Sequence, residues 1–160
     1  MEGKARPPAT PAEARAAMDG LIATSLVAQH AIAQRLGLNV TDLTCMGHVL
    51  GAASAPLTAG ELAQRANVTT GAVTGVVNRL ESAGFVERRA DPADRRRVRI
   101  VARDTANRRL YEVYEPFYAR LADLFADYSP DEIAVLGDWL TRAGGLMTTY
   151  LEELREQGDA

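Results

Sequence analysis

A chain of 160 residues, 47% of them hydrophobic, has the length of one domain and enough apolar side chains to bury a real core. Its single cysteine, Cys45, excludes an internal disulfide framework; no apolar run is long enough for a membrane span, and the opening MEGKARPPATPAE lacks the apolar middle of a signal peptide, so a cytoplasmic protein without membrane contact is expected. The net charge of −3 argues against a nucleic-acid partner only until it is divided, because Glu61–Arg103 holds nine arginines against five acids while the rest of the chain is acidic, a basic face on an acidic scaffold.

Residues 1–9 carry two prolines and no apolar period, and read as a mobile N-terminal arm. Thr10-Pro11-Ala12-Glu13 is a capping box with proline at the first helical position. The helix it opens carries Met18, Leu21, Ile22, Leu26, Ile32 and Leu36 on one side and stops at Gly37. Thr41 is positioned to cap a second helix bearing Leu43, Met46, Val49 and Leu50. Thr58 to Glu61 is a second capping box, opening a short third helix. Asn67-Val68-Thr69 has room only for a tight turn, and a fourth helix follows with Val73, Val76, Val77 and Leu80 at core spacing and Gly84 at its end.

Phe85 to Arg89 and Val98 to Ala102 read as strands around the turn Asp91-Pro92-Ala93-Asp94. A long helix starts at Asp104 or Thr105 and meets Pro116, which predicts a kink. Ser129-Pro130-Asp131-Glu132 is a third capping box, and Ile133, Leu136, Trp139, Leu140, Met147, Leu151 and Leu154 follow at helical spacing. The sum is a mainly α fold: a winged helix-turn-helix with a small β-hairpin wing and a helical dimerisation region. One domain over 10–155 is expected, with a winged lobe at about 40–102 and dimerisation helices at about 10–36 and 104–155. The terminal helices carry apolar faces with nothing local left to cover, and a second copy of the chain is the simplest cover.

Helix, tight turn, helix and basic hairpin is the order in which a winged helix reaches DNA. A recognition helix needs small or polar residues in its first turns so that its backbone sits deep in the major groove. Thr69, Thr70, Gly71, Ala72 and Thr74 meet that need. The Thr69 and Thr70 hydroxyls suit phosphate oxygens at a helix start, Thr74 and Asn78 lie one turn apart for base edges, and Arg79 is next in line for a phosphate. In the wing, Arg95, Arg96 and Arg97 cluster at the turn. Most charge runs are only solvated loops, but Asp94 immediately precedes this one and is placed to orient one arginine while another enters a minor groove.

The middle of the chain resembles the MarR family of bacterial transcription regulators. The likeness lies in Leu57-Thr58 with Glu61-Leu62-Ala63, in Ala72-Val73-Thr74 with Asn78-Arg79-Leu80-Glu81, in Gly84-Phe85-Val86-Glu87-Arg88, and in the wing block Asp91-Pro92-Ala93-Asp94-Arg95-Arg96. The resemblance implies an obligate homodimer with its first, fifth and sixth helices intertwined, two winged lobes on a pseudo-palindromic operator in duplex DNA, and Arg96 as the arginine inserted in the minor groove. It also implies release by a small ligand or an oxidant, with His30 and His48 on helices that wall the ligand cavity and so placed for an anionic or aromatic molecule. A repressor is favoured over an activator. Gly71 and Gly75 stand where relatives often carry a DNA-touching side chain, and Asn78 where an aspartate is common.

Cys45 does not match the sensing position of peroxide-responsive relatives and reads as a buried structural residue. Two histidines without a carboxylate or cysteine at ligand spacing make no metal site, and no cofactor motif, nucleophile elbow or P-loop is present. An enzyme is not expected. The alternative is a winged-helix protein-interaction module whose wing meets an acidic protein surface without specific DNA binding.

Overall fold

The computed structural model describes residues 7–158, and residues 1–6 of the expected arm lie outside them. Among the described residues, six helices and three strands follow one another in the order α1 (Pro11–Leu36), α2 (Val40–Gly51), β1 (Leu57–Thr58), α3 (Ala59–Ala66), α4 (Thr70–Ser82), β2 (Val86–Ala90), β3 (Val98–Ala102), α5 (Asp104–Phe125) and α6 (Pro130–Gly158). The chain divides into two compact units, one of Ala9–Glu115 and one that begins at Pro116. The break falls inside α5, at the proline whose missing N–H removes a helix hydrogen bond. The helix itself runs on through Pro116.

Helix ends fall where side chains can satisfy orphan backbone groups. At Thr10, Thr58 and Ser129 the hydroxyl accepts from the N–H three residues on, and Glu13, Glu61 and Glu132 reach back to the cap N–H. The second helix departs from expectation: it starts at Val40, and Asn39 rather than Thr41 caps it. The Asn39 Oδ1 accepts from the Asp42 N–H at 2.8 Å, and the Asp42 carboxylate accepts from the Asn39 N–H at 3.3 Å. Gly37 ends α1 at φ +72°, a left-handed conformation that costs a glycine nothing. The next N–H, that of buried Leu38, then closes on the Ala33 carbonyl.

The Ala9–Glu115 unit holds the core. Leu62, Val73, Val76, Val77, Leu80, Phe85, Val86 and Ile100 are all buried, with Met46 and Cys45 from α2 against them. The four apolar positions of α4 recur at helical spacing, so one face packs inward and the other is left to solvent. The sheet order is β1-β3-β2, antiparallel throughout. The second strand runs one residue later than the sequence pattern gives, and β1 is an addition to it: Leu57 and Thr58 pair with Ile100 and Arg99. Two residues at a helix start carry no strand period of their own, so only the long-range pairing makes them one.

In α1, Leu21, Ile22, Leu26 and Val27 are exposed. In α6, Ile133, Trp139, Leu140, Met147, Leu151 and Leu154 are likewise exposed, and none of the helix's residues whose burial is described is buried. Such continuous apolar faces are rare on the surface of a soluble monomer.

Candidate nucleic-acid interface

The α3–α4 turn is set by Asn67, which takes φ +54° and ends α3, a left-handed conformation that asparagine tolerates better than most residues. Two residues later Thr69 caps α4, its Oγ1 accepting from the Ala72 N–H at 3.2 Å. The first intrahelical bond runs from the Val73 N–H to the Thr69 carbonyl, so the N–H groups of Thr70 and Gly71 are those a helix leaves without an internal partner. Thr69, Thr70, Gly71, Thr74 and Asn78 are all exposed, on the face of α4 opposite the buried valines. The Thr74 hydroxyl donates back to the Thr70 carbonyl at 3.0 Å. A side chain at Gly71 would meet nothing closer than the Thr69 hydroxyl at 4.0 Å. Packing within the chain therefore does not require that glycine.

Arg79 is held. Its Nε and Nη2 make a two-pronged contact with Asp42 on α2, at 3.2 and 2.6 Å to Oδ1. Asp42 is only 2% exposed, whereas the arginine side chain is 53% exposed. A buried carboxylate requires such a partner, so the first role of Arg79 is to fasten α4 to α2. Asn78 is also engaged. Its Oδ1 accepts from Arg88 Nη2 at 2.7 Å, while Arg88 Nη1 pairs with Glu81.

The wing is a hairpin from Val86 to Ala102, with Ala90 opposite Val98. Its loop is folded by its own aspartates. Asp91 Oδ1 accepts from the Ala93 N–H at 2.8 Å, and Asp94 Oδ1 accepts from the Arg96 N–H at 3.0 Å. Asp94 thus shapes the turn through the backbone; contrary to the expectation from sequence order, it does not hold an arginine side chain among the described residues. The carboxylate that does so is Asp91, which sequence reasoning read only as part of the turn: its Oδ2 accepts from Arg99 Nε at 2.7 Å. Arg99 also donates to the Pro56 carbonyl and to Glu61, and Arg97 reaches the same Glu61 at 3.3 Å. Arg95 and Arg96 are exposed and have no carboxylate partner among the described residues.

Hydrogen bonds from Thr58 and the charges of Arg99 and Arg97 hold the Glu61 carboxyl below the usual carboxylate range. The Ala93 N–H and Arg99 do the same for Asp91. A depressed carboxyl stabilises the fold above its unfolded pKa, about 4, and that contribution disappears as pH falls through the folded value. The melting temperature is therefore expected to stay flat from neutral pH to about 5 and to fall below about 4, with a shallower fall in Glu61→Gln. Thermal melts across that range check it, and a melting temperature that rises on acidification below pH 4 contradicts it.

His30 is exposed on α1 with Gln34 3.2 Å from its Nε2, and His48 is half-buried in α2; no hydrogen bond joins them among the described residues. Cys45 is fully buried, and burial together with Asp42 pushes its thiol pKa up, which disfavours the reactive thiolate. No group of residues that could hold a metal ion is found among the described residues.

The MarR-family profile matches residues 36–97, from the end of α1 to the tip of the wing. A Bacillus subtilis (strain 168) protein called HTH-type transcriptional regulator YcgE is 38% identical over 126 residues, which is 79% of this chain and 80% of that protein. The chain belongs to the MarR family of transcription regulators. As a MarR-family protein it is a DNA-binding regulator of a family that is not one of enzymes. Its fold matches a MarR family protein from Bacillus stearothermophilus, with a TM-score of 0.62 at 23% identity over 88% of this chain and 99% of that one. It also matches a mutant of MepR from S. aureus bound to an oligodeoxyribonucleotide, with a TM-score of 0.59 at 16% identity over 83% and 97% of the two chains. No helix among the described residues of this MarR-family chain is long and apolar enough to cross a membrane.

Proposed function

We propose that this MarR-family chain is a cytoplasmic homodimer that occupies a pseudo-palindromic operator in duplex DNA and represses by blocking a promoter until a small ligand releases it. The observation that carries the reading is the division of labour among the wing arginines. Arg97 and Arg99 are tied to Glu61 and Asp91, while Arg95 and Arg96 stand exposed at the tip with no carboxylate partner among the described residues. A loop that was only solvated would gain nothing from an arginine held at its tip by a backbone-shaped turn. Arg96 enters a minor groove, where the narrow, electronegative channel favours an unpaired guanidinium, and Arg95 takes a flanking phosphate.

The first turn of α4 supplies the rest. Thr69, Thr70 and the free N–H groups take phosphate oxygens, Thr74 meets base edges in the major groove with Gly71 allowing close approach, and Arg79 offers its third nitrogen, Nη1, to the backbone. Asn78 presents its amide N–H groups to the bases, since its Oδ1 already accepts from Arg88. Dimerisation is supported by the exposed apolar faces of α1 and α6. For release, a concavity of about 420 Å³ lined by Arg35, Leu36, Arg109, Glu112 and Val113 offers the Arg35 guanidinium to an anionic aromatic ligand; His30 on α1 and His48 on α2 are not among its lining residues. A ligand that favours a lobe spacing other than the roughly 34 Å of successive major grooves disfavours the DNA-bound state.

Replacing Arg96 with alanine tests the wing. Operator affinity is expected to fall, and the slope of log K against log salt to become shallower by about one unit. Fluorescence anisotropy of a labelled duplex at several salt concentrations measures both. Unchanged affinity and slope would remove Arg96 from the interface, and a protein partner would then replace DNA as the target of the wing.

A further inference from the structure

Glu61 has two roles that meet in one carboxylate. Its Oε2 completes the capping box of α3, accepting from the Thr58 N–H at 2.7 Å and from the Thr58 hydroxyl at 3.0 Å. The same oxygen accepts from Arg99 Nη1 at 3.0 Å, and Oε1 accepts from Arg97 Nη2 at 3.3 Å. Glutamine can keep the cap at this position, although the carboxylate charge also favours the start of the helix. The second object of that charge is the wing.

Its two arginines are not equally dependent on it. Arg99 is mostly buried and keeps two other partners, Asp91 at 2.7 Å and the Pro56 carbonyl at 2.9 Å. Arg97 has Glu61 as its only carboxylate partner among the described residues, its side chain is 49% exposed, and the contact is long. It sits one residue after Arg96, on the element that faces DNA in the proposed function. Without Glu61 it would be a third free cation at the wing tip.

We infer that Glu61 is a positioning residue that holds Arg97 back from the DNA phosphates, so that the wing neutralises fewer charges than its three arginines allow. The inference rests on the DNA-binding reading. Its consequence is physical: each additional phosphate neutralised raises affinity for every sequence alike and steepens its salt dependence, so random DNA would hold the protein more tightly. A regulator that must leave random DNA gains by keeping one arginine occupied. In a glutamine variant the amide N–H₂ presents donors to the Arg97 guanidinium, itself only a donor, and Arg97 is released while the cap and Arg99 stay in place.

The test measures the salt slope on a random-sequence duplex of about three helical turns for the wild type, Glu61→Gln and the double variant Glu61→Gln/Arg97→Gln, with thermal melts to confirm that each is folded. The glutamine variant is expected to bind random duplex several-fold more tightly, with a slope steeper by about one unit. The double variant is expected to return to the wild-type slope, which identifies Arg97 as the residue released. Wild-type binding with an unchanged slope in Glu61→Gln overturns the inference and leaves the DNA reading standing, as does a steeper slope that Arg97→Gln does not reverse. A folded wild type that binds no duplex overturns both.

Discussion

Replacing Phe85 with alanine is expected to remove about 4 kcal/mol of folding stability, the cost of emptying a large buried aromatic site. The ring is fully buried at the corner where α4 turns into the wing. Three separate parts of the chain converge on it. Its N–H closes on the Leu80 carbonyl at 2.8 Å, its carbonyl accepts from the Arg103 N–H at 2.9 Å, and the guanidinium of Arg109 lies 4.1 Å above the ring. Arg109 in turn donates to the Ala83 carbonyl at the end of α4 and to the Leu36 carbonyl at the end of α1. Truncation leaves a cavity and takes away the surface on which Arg109 rests, a contact worth about 0.5–2 kcal/mol by itself. Against the roughly 5–15 kcal/mol of a typical domain, the loss should move the urea midpoint far downward at an unchanged m-value. A change below about 1 kcal/mol would mean that the corner is not packed as described.

Arg79→Ala is the second large effect, about 2–3 kcal/mol. Breaking a buried ion pair from one side costs about 3–5 kcal/mol, because a charge is left without its partner. The value is reduced here because Arg79 is half-exposed and water reaches its end of the pair. After truncation the Asp42 carboxylate keeps, among the described residues, only the 3.3 Å bond from the Asn39 N–H. Lysine should rescue poorly, since it lacks the planar fork that meets Asp42 through Nε and Nη2. Changing Asp42→Asn in the Arg79→Ala background removes the stranded charge and keeps an acceptor for the cap. The double variant should therefore be more stable than Arg79→Ala alone, a coupling that denaturation of all four proteins measures. Equal destabilisation in the single and double variants would contradict the pairing.

Local pattern made the helices legible. Hydroxyl-x-x-Glu at Thr10, Thr58 and Ser129, glycine after Leu36, and four apolar residues at helical spacing in α4 each act within one or two turns of chain, and the fold follows them. The Asn39 cap uses the same geometry with a shorter acid, Asp42, so its signal was weaker than the nearby Thr41. The side-chain pairings were not legible. Arg79 and Asp42 are 37 residues apart, and Arg97 and Glu61 are 36 apart; no local period records a contact made only when α2, α3 and α4 pack together. The wing shows the limit most clearly. Sequence order placed Asp94 beside the arginines, but adjacent residues in a tight turn point apart, and the carboxylate went to the Arg96 backbone. Asp91 and Arg99 come together because the hairpin brings its two strands side by side, with Ala90 opposite Val98.

The identity of the whole assembly as a paired DNA reader is tested most directly by the sequences it retains. Purified protein is titrated onto a library of genomic fragments at moderate salt, and the bound fragments are sequenced. An inverted repeat with half-site centres about one helical turn apart is the predicted result, since it requires two recognition helices related by a two-fold axis. Retention without a shared motif, or none at all, contradicts the account.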